Sequence, residues 1–180
     1  MSIVVYYKDE LSADKATYSL HYLNNQCTSS EPARRRQRKL FVSKDRQVAL
    51  AAVGQTINQD EVETFVMRFK HAVLKMRKED TNEVEFDDGR DRKNTEDRTF
   101  IFMTREGTYI TINEKLYRRR QDEVLGSGSG WSAMQVLVTG GMDRAAAHYA
   151  LASITPMCSA DYNTVLRKEL AVLRLPKVIE

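Results

Sequence analysis

Six residues, Val48-Ala49-Leu50-Ala51-Ala52-Val53, constrain the fold of this chain most. The run is apolar at every position, short, and followed by Gly54, which suits a strand buried on both faces rather than one with a wet side. Such a strand needs a packed layer on each face. With Lys39 to Val42 it forms a hairpin through Ser43-Lys44-Asp45-Arg46. Ile3 to Tyr7, β-branched and aromatic, reads as another strand, and Lys8-Asp9-Glu10 as a polar turn before the chain resumes from Leu11 to Ser19. Leu20 to Leu23 continues as a further strand. Residues 24–37, with Asn, Ser, Pro and Arg, read as a loop.

A helix follows. Asn58 with Glu61 three residues on resembles a capping box, and Val62, Phe65, Val66, Phe69, Val73 and Met76 recur at helical spacing. Residues 79–98 are polar and mixed in charge and read as a solvated excursion. Asp87-Asp88-Gly89 lacks the ligand spacing of a calcium loop. Strands are expected at Thr99–Met103, Thr108–Ile112 and Lys115–Arg118. Gly126-Ser127-Gly128-Ser129-Gly130 ends a strand and opens a helix to about Thr139, stopped by Gly140-Gly141. Asp143 caps a second helix with Ala146, Tyr149, Ala150 and Ile154 on one face, ending before Pro156. Leu170 to Leu175 offers a last strand. Strand and helix blocks segregate, so an α+β layered sandwich fits better than a βαβ repeat.

Length and composition narrow the class. The chain has 180 residues, about one domain, with 42% hydrophobic and 29% charged residues, near the average of globular proteins. No apolar run reaches the ~18 residues of a membrane span and no signal peptide opens the chain, which leads to the expectation of a soluble cytoplasmic protein with no membrane partner. Cys27 and Cys158 lack ligand spacing, which fits a reducing compartment and argues against a zinc site. Nothing calls for a cofactor. A formal charge of +3 demands no polyanionic partner. Arg34-Arg35-Arg36-Gln37-Arg38-Lys39 and Arg118-Arg119-Arg120 read as solvated charge without the interleaved aromatics of a nucleic-acid site. His21, His71 and His148 are scattered and read as surface or core-edge residues. The glycine run at 126–130 lacks the Gly-Lys-Ser/Thr of a phosphate-binding loop.

Two places carry chemistry. Ser2 is small enough that removal of Met1 is expected, which would set a hydroxyl beside a free α-amine. Lys39 stands at the mouth of another strand. An N-terminal Ser with its own amine as base and a nearby Lys is a complete nucleophilic apparatus.

Four blocks resemble proteasome β-type subunits, the N-terminal nucleophile (Ntn) hydrolase family that includes the bacterial peptidase HslV. The first strand leads into Leu11-Ser12-Ala13-Asp14, similar to the family's "LAAD". Lys39 to Val42 and Val48 to Gly54 resemble its lysine strand, hairpin partner and closing glycine. Gly126-Ser127-Gly128-Ser129 resembles its "GSGS" helix opening, and Arg144 to Ile154 its last long helix.

The resemblance implies a four-layer α-β-β-α sandwich with two packed antiparallel sheets, one Ntn-hydrolase-like domain over residues 1–180. It implies Ser2 as nucleophile, Lys39 as the charge that lowers the hydroxyl and amine pKa values, and Asp14 as the group holding Lys39. Ser2 and Lys39 are then expected together at one end of the two sheets. Ser129 would steady the amine and Gly54 would supply the oxyanion N–H. Asp161 and Thr164 match the family's final Asp and Ser, without its glycines, and Met1 and Ser2 compete for the nucleophile register. The resemblance further implies unfolded polypeptide as substrate, a homo-oligomeric ring using the Val62–Met76 face and residues 129–154, and an ATP-dependent unfoldase as candidate partner. The competing readings are an inactive ring-forming relative that keeps Met1 and, less favoured, a basic nucleic-acid-binding module.

Overall fold

The computed structural model describes residues 3–16, 18–23, 26–32, 38–54, 57–88, 98–155 and 157–177. The strands are β1 (Ile3–Tyr7), β2 (Glu10–Asp14), β3 (Tyr18–Leu23), β4 (Gln26–Pro32), β5 (Leu40–Val42), β6 (Ala49–Val53), β7 (Glu83–Glu85), β8 (Thr99–Met103), β9 (Thr108–Ile112), β10 (Lys115–Arg119), β11 (Leu125–Gly128) and β12 (Tyr162–Leu166). The helices are α1 (Gln59–Glu79), α2 (Trp131–Thr139) and α3 (Arg144–Ile154). One sheet runs β11-β1-β2-β12, a second β5-β6-β8-β9-β10-β7, and β3-β4 pair as a hairpin. Every pairing between them is antiparallel.

Strand alternation builds the layers, because successive side chains leave opposite faces of a sheet. On β1, Val4 and Tyr6 join Ala49, Ala51, Ile101 and Met103 of the other sheet in a core between the sheets. Ile3 and Val5 point the other way, onto Met134 and Val138 of α2 and Ala147 and Leu151 of α3. On the second sheet Leu50, Phe100 and Phe102 face the α1 stripe of Val62, Phe65, Val66, Phe69, Val73 and Met76. Phe69 stacks on Phe102 at 4.4 Å between centroids and meets Tyr109 edge-on at 5.0 Å. Such pairs contribute about 0.5–1.5 kcal/mol each beyond burial. The order is helix, sheet, sheet, helix, as the family resemblance implies, and the 48–53 run is buried on both faces except for half-buried Val53.

Helix ends follow their capping residues. The Glu61 carboxylate accepts the N–H of Asn58 at 2.7 Å, and Asp143 accepts that of Ala146 at 2.9 Å. Among the described residues no helix is long and apolar enough to cross a membrane.

Four expectations are corrected. Residues 24–37 are not all loop, since Gln26–Pro32 pairs with β3. That ladder is made of backbone groups, and a polar Gln-Cys-Thr-Ser-Ser run can supply them without an apolar signal. The last strand is Tyr162–Leu166 rather than Leu170–Leu175. Beyond it Leu170 enters the inter-sheet core and Leu173 the α1 core. There the backbone bonds to loops, with Ala171 N on Arg46 O at 2.9 Å and Arg174 N on Gln47 Oε1 at 2.8 Å. The solvated stretch 79–98 contains β7, whose Val84 is buried between two exposed glutamates; residues 89–97 lie outside the described residues.

On α3 the buried face is Arg144, Ala147, His148 and Leu151, whereas Tyr149 and Ile154 are 69% and 74% exposed. Hydropathy points the helix the wrong way because two polar residues on its inner face find partners beneath it.

Candidate active site

One end of the sandwich gathers the start of β1, the end of β2, Lys39 just before β5, the end of β6 and the end of β11. Antiparallel pairing brings them there: Ile3 is opposite Gly128, and Val4 is opposite Ala13. On the other sheet the Ala52 N–H donates to the Lys39 carbonyl at 2.9 Å.

Lys39 Nζ meets Asp14 Oδ1 at 2.7 Å, with both residues buried. The carboxylate is held on both oxygens: Oδ1 also accepts the Ile3 N–H at 3.0 Å, and Oδ2 accepts the Ser159 N–H at 3.0 Å. Burial pushes the Lys39 ammonium below the usual lysine range, and the Asp14 charge and hydrogen bond pull it back up. Cys158 lies beside the pair, its thiol pushed up by burial and by Asp14. It fills the space over Gly130, where an added Cβ would stand 2.8 Å from its Sγ.

The other expected site residues distribute as follows. Met1 and Ser2 lie outside the described residues. Ser129 is exposed in the turn between β11 and α2. Gly54 follows β6 with φ of 95°, a conformation that costs a side-chain-bearing residue strain. Asp161 reaches this end through its backbone, its carbonyl accepting the Lys15 N–H at 3.0 Å and its own N–H donating to Ser159 Oγ at 3.1 Å. Thr164 stands further along β12, opposite Ser12, with its hydroxyl on Glu10 Oε1 at 2.6 Å. It is not brought to the Lys39–Asp14 pair.

Sequence reasoning missed two features here. Ser159 acts through a backbone N–H, which no residue type announces. His148 is fully buried: its Nε2 lies 3.2 Å from Ser12 Oγ, its ring stacks on Tyr162 at 4.3 Å, and its Nδ1 has no partner. Arg144 donates to Ser12 Oγ at 3.1 Å and to the carbonyls of Val5 and Tyr7. Ser12 and His148 have the residue types of a nucleophile and its base, yet both are 0% exposed under α3, so no substrate reaches them. An i, i+4 spacing of Arg144 and His148 above an inward serine is the signal that could have found this cluster.

Among the described residues no group of His, Cys, Asp or Glu is placed to hold a metal ion. Of the basic runs, Arg34–Gln37 lies outside the described residues. Arg119 and Arg120 pair with Glu123 and Asp122, in keeping with solvated charge.

No family model matches the chain. No curated protein matches it by sequence. Solved structures do resemble it. Eukaryotic HslV from Trypanosoma brucei is 12% identical with a TM-score of 0.55, covering 91% of this chain and 97% of that one. Thiobacillus denitrificans BPH in complex with epoxomicin is 11% identical with a TM-score of 0.51, covering 92% and 97%. This breadth of superposition, with two antiparallel sheets between helices, defines an Ntn hydrolase fold. More particularly, it is the fold of HslV and proteasome β-type chains, in a divergent sequence.

Proposed function

We propose that this chain is a proteasome-like N-terminal serine peptidase, one domain that cuts unfolded polypeptide in the cytoplasm inside a self-assembled homo-oligomeric ring, fed by an ATP-dependent unfoldase. A single observation carries the reading. The buried Lys39–Asp14 pair takes the N–H of Ile3, the residue joined by one peptide bond to Ser2.

With Met1 removed, the Ser2 α-amine accepts the hydroxyl proton as Oγ attacks the peptide carbonyl. A C–O bond forms and the carbonyl π electrons move to oxygen, where the Gly54 N–H is the candidate donor. The amine then returns the proton to the leaving nitrogen as the C–N bond breaks. Water hydrolyses the resulting ester by the same relay. Lys39 contributes a fixed positive charge beside the hydroxyl, Asp14 positions it, and Ser129 steadies the amine.

The test compares two forms of one protein. A chain beginning at Ser2, verified by intact mass, is expected to hydrolyse small fluorogenic peptides, and the form retaining Met1 is expected to be inert. Equal cleavage by both would exclude the amine as base and overturn the mechanism.

The inactive ring-forming relative remains the second reading, favoured by the placement of Thr164 on Glu10 rather than at the site. Both readings need a ring. The Val62–Met76 stripe, expected to serve it, is spent on the second sheet. The outer face of α2 and α3 is left, with Val136 70%, Tyr149 69% and Ile154 74% exposed. Light scattering at micromolar concentration is expected to show a closed assembly of several copies; a monomer would refute the chamber and leave the fold untouched.

A further inference from the structure

The second sheet carries one row of side chains past the core between the sheets. Ala51, Ile101 and Ile110 lie in that core. Side chains two residues apart share a face, so Val53, Thr99 and Ile112 continue the same face by one row. Pairing sets them side by side. Val53 is opposite Thr99 and Ile101 is opposite Ile110, while the Phe100 N–H donates to Thr111 Oγ1 at 2.8 Å and holds Thr99 beside Ile112. Val53 and Thr99 are half-buried, and Ile112 is 49% exposed. Lys115, opposite Ile112 and ion-paired with Glu83 at 3.6 Å, closes the row.

The row starts at the proposed site. Gly54, the candidate oxyanion donor, follows Val53 directly. On the first sheet the edge strand β11 lies against β8, with Ser129 just past its end. Ile112 on β9 therefore stands one strand beyond that edge, on the Ser129 side of the nucleophile. Neighbouring strands are about 4.8 Å apart, so β9 is about 10 Å from β6, the span of about three residues of an extended peptide. In the proposed relay the amine beside Ser129 returns its proton to the leaving nitrogen, so the released half of the substrate lies over this row.

Resting on that peptidase reading, we propose that Val53, Thr99 and Ile112 form a subsite for an aliphatic side chain of the substrate about three residues after the cut bond. A leucine, isoleucine or valine there covers the exposed part of Ile112 and the methyl groups of Val53 and Thr99, and removing apolar surface from water favours binding. A charged side chain gains nothing, because Lys115, the charged member of the row, already pairs with Glu83. A lone exposed isoleucine is ordinary on a protein surface. What marks this one is its place in a row that begins beside Gly54.

The test uses internally quenched peptides with one leucine moved through the first four positions after the cut, serine at the others, and the cut located by product mass. For a chain beginning at Ser2, leucine at about the third position is expected to lower KM about fivefold at unchanged kcat, the size of a partly buried aliphatic contact. Ile112→Thr keeps a β-branched strand residue and should erase that preference, whereas Ile112→Leu should keep it. In the Ser2→Ala chain, which binds without cutting, the leucine peptide should shift the amide resonances of residues 53, 99 and 112, and the all-serine peptide should not. Short fluorogenic peptides end at the cut bond and report the chemistry alone. If they are not cleaved, the peptidase reading fails, and the amide shifts still decide the subsite. Equal KM for leucine and serine, a preference confined to the first position, a preference that survives Ile112→Thr, or no shifts in the Ser2→Ala chain would each overturn the assignment.

Discussion

A chain beginning at Ser2 is expected to lose peptide hydrolysis about a thousandfold or more when Lys39 becomes Met, nearly as much as when Ser2 becomes Ala. Lys39→Met keeps the aliphatic stem and removes only the charge. Asp14 would still accept two backbone N–H groups, from Ile3 and Ser159, so its carboxylate is not stranded. The fold should therefore survive. Asp14→Asn is different: it leaves the buried Lys39 ammonium without a counter-charge, and its amide N–H₂ must face a backbone donor. Removing one partner of a buried pair costs about 3–5 kcal/mol. Peptide hydrolysis and chemical denaturation, measured together, separate the two roles: Lys39→Met loses activity first, Asp14→Asn loses both. Retention of full activity by Lys39→Met would remove Lys39 from the mechanism.

The layers were legible in the sequence because both sheets are covered on both faces. Continuous apolar runs such as Val48–Val53 and Phe100–Met103 have no other use. Legibility fails where backbone rather than hydropathy decides. Gln26–Pro32 is a strand because β3 supplies its partner, and residues 170–175 are not one because their backbone groups bond to Arg46, Gln47, Arg105 and Glu106 in turns rather than to a strand. The Asp14–Lys39 encounter spans 25 residues and came only from resemblance; neither side chain alone differs from a solvent-facing strand end. Ser159 was illegible in principle, since what Asp14 uses is its N–H. His148 and Arg144 misled for a related reason: they are polar, and on the buried face of α3 they are matched to Ser12 and to β1 carbonyls.

That matched cluster makes folding sensitive to acid. Arg144 donates to Ser12 Oγ, and Ser12 Oγ shares a further hydrogen bond with His148 Nε2, whose direction follows the ring tautomer. A second ring proton would place a cation in a closed space facing Arg144, with Tyr162 stacked on one side and Glu10 acting on Arg144 from β2. Burial, and then Arg144, lower the His148 pKa from 6.5 to about 4. At neutral pH the ring is uncharged in both states and the cluster contributes fully. Below pH 6.5 the unfolded chain takes up the proton while the folded ring resists until about 4, so stability drains away across that window and levels off beneath it. The loss amounts to roughly 2–3 kcal/mol at pH 4.5, large against a total of roughly 5–15 kcal/mol. Carboxylates titrate in the same range, so the measurement is a difference. His148→Gln keeps an acceptor for Ser12 and carries no titrating group. Urea unfolding at pH 7 and pH 4.5 should show the wild type losing roughly 2–3 kcal/mol more than His148→Gln over the interval. Parallel losses in the two proteins would mean that His148 takes its proton as readily folded as unfolded, and that the cluster is open to water.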